Sequence, residues 1–369
     1  MPEAAASIHV LGSRQFGGAD QFCVRLVRAL RDAGQAVTAV NRRGSPVAMA
    51  LAGDGVEQIH LPLANSFDLW TVWRLRKLVA AREPCIVQTY MGRATRLTRL
   101  PQQSRAVHVA RLGGYYKIDG YYRHAHAWIG NTKGLCDHLV KEGLPAARVF
   151  HIGNFVPDPV VATPAETEAL RRQWAIPDDA WVLFTLGRLI GLKGFSDLLE
   201  ALSRMPRTID GRPVVLLIAG SGPLEAELKA HATRLGLDAQ VRWLGWQDPP
   251  DAFFTLADVF VCPSRKETLG NVILEAWNHG LPVVSTRTAG AVELLEDGHT
   301  GLLAPVREPL ALANRLVEIL KTTADQQSAM GAAGRAFLNA RFGKAAIVDA
   351  YLALYADLLA TGSCPSRSV

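Results

Sequence analysis

The chain has 369 residues, a length that predicts two domains. Hydrophobic residues make up 49% and charged residues 20%, as in a globular protein with a full core, and no apolar run approaches the ~20 residues that cross a bilayer. The net charge of +6 is uneven: residues 1–160 hold 20 Lys and Arg against 11 Asp and Glu, and the remainder 20 against 23. The basic half suits an anionic partner, or carries a solvated arginine-rich surface.

The opening MPEAAASIHVL lacks the basic region and cleavage site of a secretory signal. The five cysteines (Cys23, Cys85, Cys136, Cys262, Cys364) are scattered and form no Cys-x-x-Cys pair. A cytoplasmic protein without disulfides or a zinc site is therefore expected, and no metal-ligand cluster is visible.

Short apolar runs then alternate with helical patterns. Ser7–Leu11 reads as a strand and Asp20–Ala33 as the helix after it. Ala36–Asn41 is a strand ending in a basic loop, and Gln58–Leu61 a third. Asn65 or Ser66 is expected to cap a helix running to Ala81, with Leu69, Val72, Trp73, Leu75 and Leu78 near helical spacing. Strands follow at Cys85–Thr89 and Ala106–Ala110. The proline-rich Pro157–Thr167 marks a linker. The alternation then restarts, with strands at Trp181–Leu186, Val214–Ala219, Val241–Leu244, Val259–Cys262 and Pro282–Ser285 and helices near Phe195–Ser203, Leu224–Leu235, Val272–Asn278 and Leu310–Lys321. The expectation is an α/β protein: two Rossmann-like, doubly wound parallel-sheet domains facing a cleft, with ligands at the carboxyl ends of the strands. The N-terminal domain is placed at residues 1–160 plus 344–369 and the C-terminal domain at 168–343.

Three clusters bear on chemistry. Gly17-Gly18, between the first strand and first helix, is either a tight turn or a place where amides meet a phosphate or sugar; it is not Gly-x-Gly-x-x-Gly. Gly187-Arg188-Leu189 followed by Gly191-Leu192-Lys193-Gly194 sets two cations among glycines at a strand end. Such cations, if not simply surface charges beside a turn, stabilise the charge that builds on a departing diphosphate. Third, the strand Val259–Cys262 runs through Glu267-Thr268-Leu269-Gly270-Asn271 into a helix carrying Glu275. Amides at Gly270 and Asn271 would open that helix and hold a distal phosphate, Glu275 would take the ribose of a nucleotide and Glu267 the hydroxyls of a sugar. A helix-start acid and a solvated loop acid would look the same in isolation.

These residues occur in one order with Gly220-Ser221-Gly222-Pro223-Leu224, Val241-Arg242-Trp243-Leu244-Gly245, Gly280-Leu281-Pro282-Val283-Val284 and Glu293 with Asp297-Gly298-His299-Thr300-Gly301-Leu302-Leu303. The set, over roughly residues 187–303, resembles the retaining glycosyltransferase family 4, whose two-Rossmann-domain fold is called type B. The resemblance implies metal-independent, retaining transfer from a nucleotide-diphosphate sugar as co-substrate, without a cofactor. It assigns Arg188, Lys193 and Glu267 to catalysis and Gly17, Gly18, Gly187, Gly222, Leu269, Gly270, Asn271 and Glu275 to the donor. It also implies that a last helix, about Lys344–Leu359, crosses back onto the N-terminal domain. Two departures stand out: members often carry Glu-Gly-Phe-Gly where this chain has Glu267-Thr268-Leu269-Gly270, and Ala110-Arg111-Leu112 lacks a His many members place there. Arg111 is the candidate stand-in.

The N-terminal half is left for the acceptor. Arg93, Arg96 and Arg99 recur every three residues and are expected on one helix face, and Gly114-Tyr115-Tyr116-Lys117 is echoed at Gly120-Tyr121-Tyr122-Arg123. Aromatic faces stack on sugars and guanidinium forks grip phosphate or carboxylate. The expected acceptor is an anionic glycan or glycolipid, such as lipopolysaccharide core, met by peripheral contact at the inner membrane. Trp70 and Trp73 with Arg74, Arg76 and Lys77 form either an interfacial helix or an ordinary Rossmann helix. Nucleic acid is not expected, for want of a motif. A sugar-nucleotide epimerase, a phosphorylase and a non-catalytic nucleotide-sugar binder are the alternatives.

Overall fold

The structure is a computed structural model, and it describes residues 6–362. The chain divides into two compact units, Met1–Pro157 with Phe342–Val369, and Asp158–Arg341. Cys364 lies outside the described residues; Cys23, Cys85, Cys136 and Cys262 are free thiols.

The N-terminal unit is built on seven parallel strands: β1 (Ser7–Leu11), β2 (Val37–Asn41), β3 (Glu57–His60), β4 (Ile86–Tyr90), β5 (Val107–Leu112), β6 (Ala127–Gly130) and β7 (Val149–His151). Their order is β3-β2-β1-β4-β5-β6-β7. Both faces are covered, which is why the strands read as near-continuous apolar runs. Along β1, Ile8 and Val10 pack on one side with Leu75 and Val79 of the helix Leu69–Ala80, while Leu11 packs on the other with the helix Gly18–Asp32. Direction reverses at β1, so β1 and β4 flank a topological switch point.

The C-terminal unit repeats the plan with β8 (Trp181–Leu186), β9 (Thr208–Ile209), β10 (Arg212–Ala219), β11 (Val241–Gly245), β12 (Val259–Cys262), β13 (Val283–Thr286) and β14 (Leu302–Ala304). The order is β11-β10-β8-β12-β13-β14, all parallel, with the short β9 antiparallel on β10. Its switch point lies between β8 and β12.

Some elements differ from their sequence reading. The helix expected after Asn65 starts at Leu69, because Asp68 caps it by accepting from Thr71 N at 3.0 Å. The stretch read as a linker contains the start of a helix, Pro164–Gln173, where Thr163 and Glu166 close a capping box. The helix after β4 spans only Met91–Leu97, so Arg99 lies beyond it and cannot share its face with Arg93 and Arg96. The helix Lys344–Thr361 does return to the N-terminal unit: Ile347, Val348, Tyr351, Leu354, Tyr355 and Leu358 are buried in that unit's core with Phe22 and Phe155.

Candidate functional site

In the C-terminal unit the loops at the carboxyl ends of β8, β10, β12 and β13 are stitched together by their own backbone. Leu189 N donates to Ser221 O at 2.9 Å and Arg265 N to Leu192 O at 2.8 Å. Gly290 N donates to Glu267 O at 3.1 Å. The glycines permit these approaches. A Cβ on Gly194, at φ +68°, would lie 1.9 Å from Pro263 O, and one on Gly220 would lie 1.9 Å from Gly187 O. Arg265 then forks onto Asp197 at 2.7 and 2.5 Å, fixing the loop after β12 to the helix after β8.

This frame sets Lys193, at the end of a short 3₁₀ turn, against Glu267. The ammonium and carboxylate are directly bonded, and Glu267 Oε1 also accepts from Ser264 Oγ at 3.0 Å. The pair therefore spans the switch point, one partner from the loop after β8 and the other from the loop after β12. Burial opposes the Lys193 charge, but Glu267 beside it and Glu275 nearby outweigh burial and hold the ammonium above its ordinary range. Lys193 is thus a cation at neutral pH.

Gly270, at φ +91°, is the N-cap of the helix Asn271–Asn278, so the amides of Asn271 and its neighbours open that helix beside Glu267. Glu275 sits half-buried in its second turn. Leu269 is buried beneath, and Gly187 and Gly222 line the backbone crossings of β8 and β10. Arg188 is exposed at the end of β8. Asp297 plays a different part: it accepts from Leu303 N at 2.9 Å and pairs with Arg287 at 2.8 Å and Arg315 at 3.3 Å, closing the loop before β14.

In the N-terminal unit the Gly17 amide is committed to Asp20 Oδ2 at 2.9 Å, as the cap of the helix Gly18–Asp32, and Gly18 is the exposed first residue of that helix. Arg93 donates to Gly12 O and Leu63 O, each at 3.3 Å. Arg96 turns elsewhere, its guanidinium 4.5 Å from the Phe67 ring and 5.3 Å from the Tyr121 ring. Arg99 donates back to Arg96 O at 3.3 Å. Arg111 is 2% exposed: it lies 3.9 Å over Phe22, donates to Tyr351 Oη at 2.9 Å and bonds Asn154. Its visible partners thus join the sheet to the helix Lys344–Thr361. Tyr115 meets His138 edge-on at 5.1 Å, and Tyr116 is stacked on Tyr122 at 6.3 Å with 38% of its surface exposed.

The model of the family "Glycosyl transferases group 1" matches residues 166–337. The lipopolysaccharide core biosynthesis glycosyltransferase LpsE of Rhizobium meliloti is 31% identical over 342 residues, 92% of this chain and 96% of that protein. The chain belongs to the glycosyl transferases group 1 family. This glycosyltransferase is also 29% identical over 341 residues to LpsD of the same organism, named for the same process, across 92% of this chain and 95% of LpsD. Its fold is type B: the solved structure of Anabaena HepE, in complex with UDP and glucose, superposes with a TM-score of 0.82 at 20% identity, covering 96% of this chain and all of the other.

Two features of the glycosyltransferase escaped the sequence reading. Arg42 donates to Leu63 O at 2.9 Å, so it meets Arg93 on one carbonyl. The only cue was its place in the basic loop after β2. The second is the split of Arg93 from Arg96 and Arg99, set by where the helix Met91–Leu97 stops.

Proposed function

We propose that the C-terminal unit holds a nucleoside diphosphate sugar and that the N-terminal unit presents an anionic bacterial surface glycan or glycolipid, of the lipopolysaccharide-core kind, to which the sugar passes with retention of configuration and without a metal. The observation that carries the donor half is the Lys193–Glu267 pair across the β8/β12 switch point, with the helix start at Gly270 beside it. Lys193, with Arg188 five residues before it in the same loop, stabilises the charge that grows on the departing phosphate. The amides around Leu269, Gly270 and Asn271 hold the other phosphate, and Gly187 and Gly222 let backbone approach it closely. Glu275 accepts from two ribose hydroxyls and Glu267 from hydroxyls of the sugar. Gly18 at its helix start is assigned to the donor as well, Gly17 serving it as the cap. Tyr115 and Tyr116 offer ring faces to the acceptor saccharide.

The names of LpsE and LpsD support the acceptor class, and the basic N-terminal half supports its charge. The helix Leu69–Ala80 supports contact with the cytoplasmic face of a membrane. Thr71, Leu75 and Val79 point into the core, while Trp70, Trp73, Arg74 and Lys77 share the exposed face, with Lys77 4.1 Å over Trp73 and no acid between Leu69 and Ala80. Aromatic rings interleaved with cations suit an anionic lipid surface. Among the described residues, no helix is long and apolar enough to cross a membrane.

The test is a thermal-shift screen of UDP, GDP, ADP and their sugars, followed by transfer to truncated lipopolysaccharide with and without EDTA. One nucleotide should raise the midpoint, its sugar should pass to the glycan with the donor's anomeric configuration, and EDTA should leave the rate intact. An altered donor in the absence of acceptor would point to an epimerase; binding without turnover would point to a sugar-nucleotide binder.

A further inference from the structure

The carboxyl ends of the N-terminal sheet gather three arginines, two from loops and one from the first turn of the helix Met91–Leu97. Arg14 follows β1, Arg42 follows β2 and Arg93 follows β4. Arg42 and Arg93 both donate to Leu63 O, at 2.9 and 3.3 Å, so two guanidiniums converge on one carbonyl. Arg93 also reaches Gly12 O at 3.3 Å and thereby bridges the β1/β4 switch point. The carbonyl they share belongs to a constrained backbone: Leu63 is buried with φ +44°, and Met91, two residues before Arg93, has φ +66°. Such conformations persist where surrounding structure enforces them, and they concentrate at binding sites.

We propose that Arg14, Arg42 and Arg93 form an oxyanion site at the carboxyl ends of β1, β2 and β4, which takes a phosphate or carboxylate of the acceptor. The proposal rests on the functional reading above for the word acceptor, and on the placement and charges of the three arginines for the site. A guanidinium has five donors, and the carbonyl bonds of Arg42 and Arg93 use one or two of them. Among the described residues none of the three makes an ion pair. The acid that acts on Arg42, Asp68, is occupied as a helix cap: it accepts from Ala64 N at 3.0 Å, Thr71 N at 3.0 Å and Thr71 Oγ1 at 2.7 Å. Burial, then repulsion from Arg14 and Arg93, pull Arg42 below its ordinary range, with Asp68 opposing. Like charges brought this close favour an anion among them. Arg96 and Arg99 stand apart, engaged with Phe67, Tyr121 and backbone carbonyls.

The experiment is a thermal-shift titration of the full chain with inorganic phosphate and with glucuronate, with UDP, GDP and ADP in excess to fill the donor's phosphate site. Wild-type protein should respond to at least one anion, phosphate alone indicating a phosphorylated acceptor and glucuronate alone a sugar acid. Arg42→Gln with Arg93→Gln should weaken the response about tenfold or more, the scale of lost charge-assisted hydrogen bonds. Arg14→Gln, at an exposed side chain, should weaken it severalfold without disturbing the fold. Arg96→Gln with Arg99→Gln should leave it unchanged. No wild-type response to either anion would overturn the proposal, as would wild-type affinity in Arg14→Gln together with the 42/93 variant, or loss confined to the 96/99 variant. A separate transfer assay distinguishes the two readings: anion binding without transfer would sink the functional reading and keep this site, whereas normal transfer without an anion response would do the reverse.

Discussion

The two units share one architecture and differ in the side chains that meet at the switch point. Each is a doubly wound parallel sheet with a switch point beside its first strand, and in each a long cationic side chain bridges that point. In the C-terminal unit the bridge is compensated, Lys193 against Glu267, with Arg265 against Asp197 behind it. In the N-terminal unit the bridge is Arg93 to backbone carbonyls, with Arg42 on the same carbonyl. A site with both signs of charge can meet phosphates and hydroxyls at once, as a sugar nucleotide requires. A site with one sign selects chiefly by charge. On the two proposals above, the same scaffold supports two recognition modes by changing the loops at its strand ends.

The buried interiors differ as well. In the N-terminal unit burial lowers His9 to about 3 and His124 to about 4, and pushes His108 well below and His126 below the ordinary histidine value. His9 belongs to a chain of bonds beneath the site, 2.8 Å from Tyr90 Oη, which accepts from Gln88 at 2.7 Å; Gln88 in turn accepts from Tyr355 at 2.7 Å.

The division breaks most readily at Lys193. Lys193→Ala should lower kcat by about 10²–10³, the scale for removing one stabiliser of transition-state charge, whereas Arg42→Gln should act on acceptor KM. Steady-state kinetics with both substrates varied would test this, and an equal fall in kcat for Arg42→Gln would erase the distinction. Glu275→Ala should weaken donor binding by about 1.5–3 kcal/mol with little change in acceptor KM, measured by titration with the nucleotide identified in the screen.

Acid should separate the units by stability. A histidine held neutral in the folded chain titrates near 6.5 once unfolded, so its contribution is complete above that pH and is lost as pH falls below it. For His9, neutral until about 3, the loss between pH 6.5 and 5 is about 2 kcal/mol. Limited proteolysis at pH 7.5 and 5 should show the N-terminal unit opening first; simultaneous cleavage of both would count against it. The smallest effect concerns the membrane. Lys77→Gln should weaken binding to anionic vesicles by about 1 kcal/mol and leave neutral vesicles unaffected, as read by co-sedimentation; equal binding to both vesicle types would remove the electrostatic account.

Much of the candidate site in the C-terminal unit was legible in the residues themselves. Arg188, Lys193 and Glu267 sit in loops and turns at the ends of apolar strands and Glu275 in the helix that follows, and the backbone crossings at Gly194 and Gly220 show why glycine is needed there. The N-terminal unit was less legible. Three arginines at spacing three suggested one helix face, but the helix ends at Leu97, and spacing carries no information about where a short helix stops. Arg111 looked like a ligand residue by position and lies instead over Phe22, bonded to Tyr351 from the far end of the chain.

The sequence by itself determined the features that local periodicity and chain order control: the alternation of strands and helices, the parallel sheets, and the loops that carry the glycines and charges. Tertiary structure alone decided which loops become neighbours. Lys193 and Glu267 are 74 residues apart, and Arg111 and Tyr351 240 apart. Strand order across a sheet fixes such meetings, and strand order depends on how whole helices pack against both faces, which no local stretch of residues encodes.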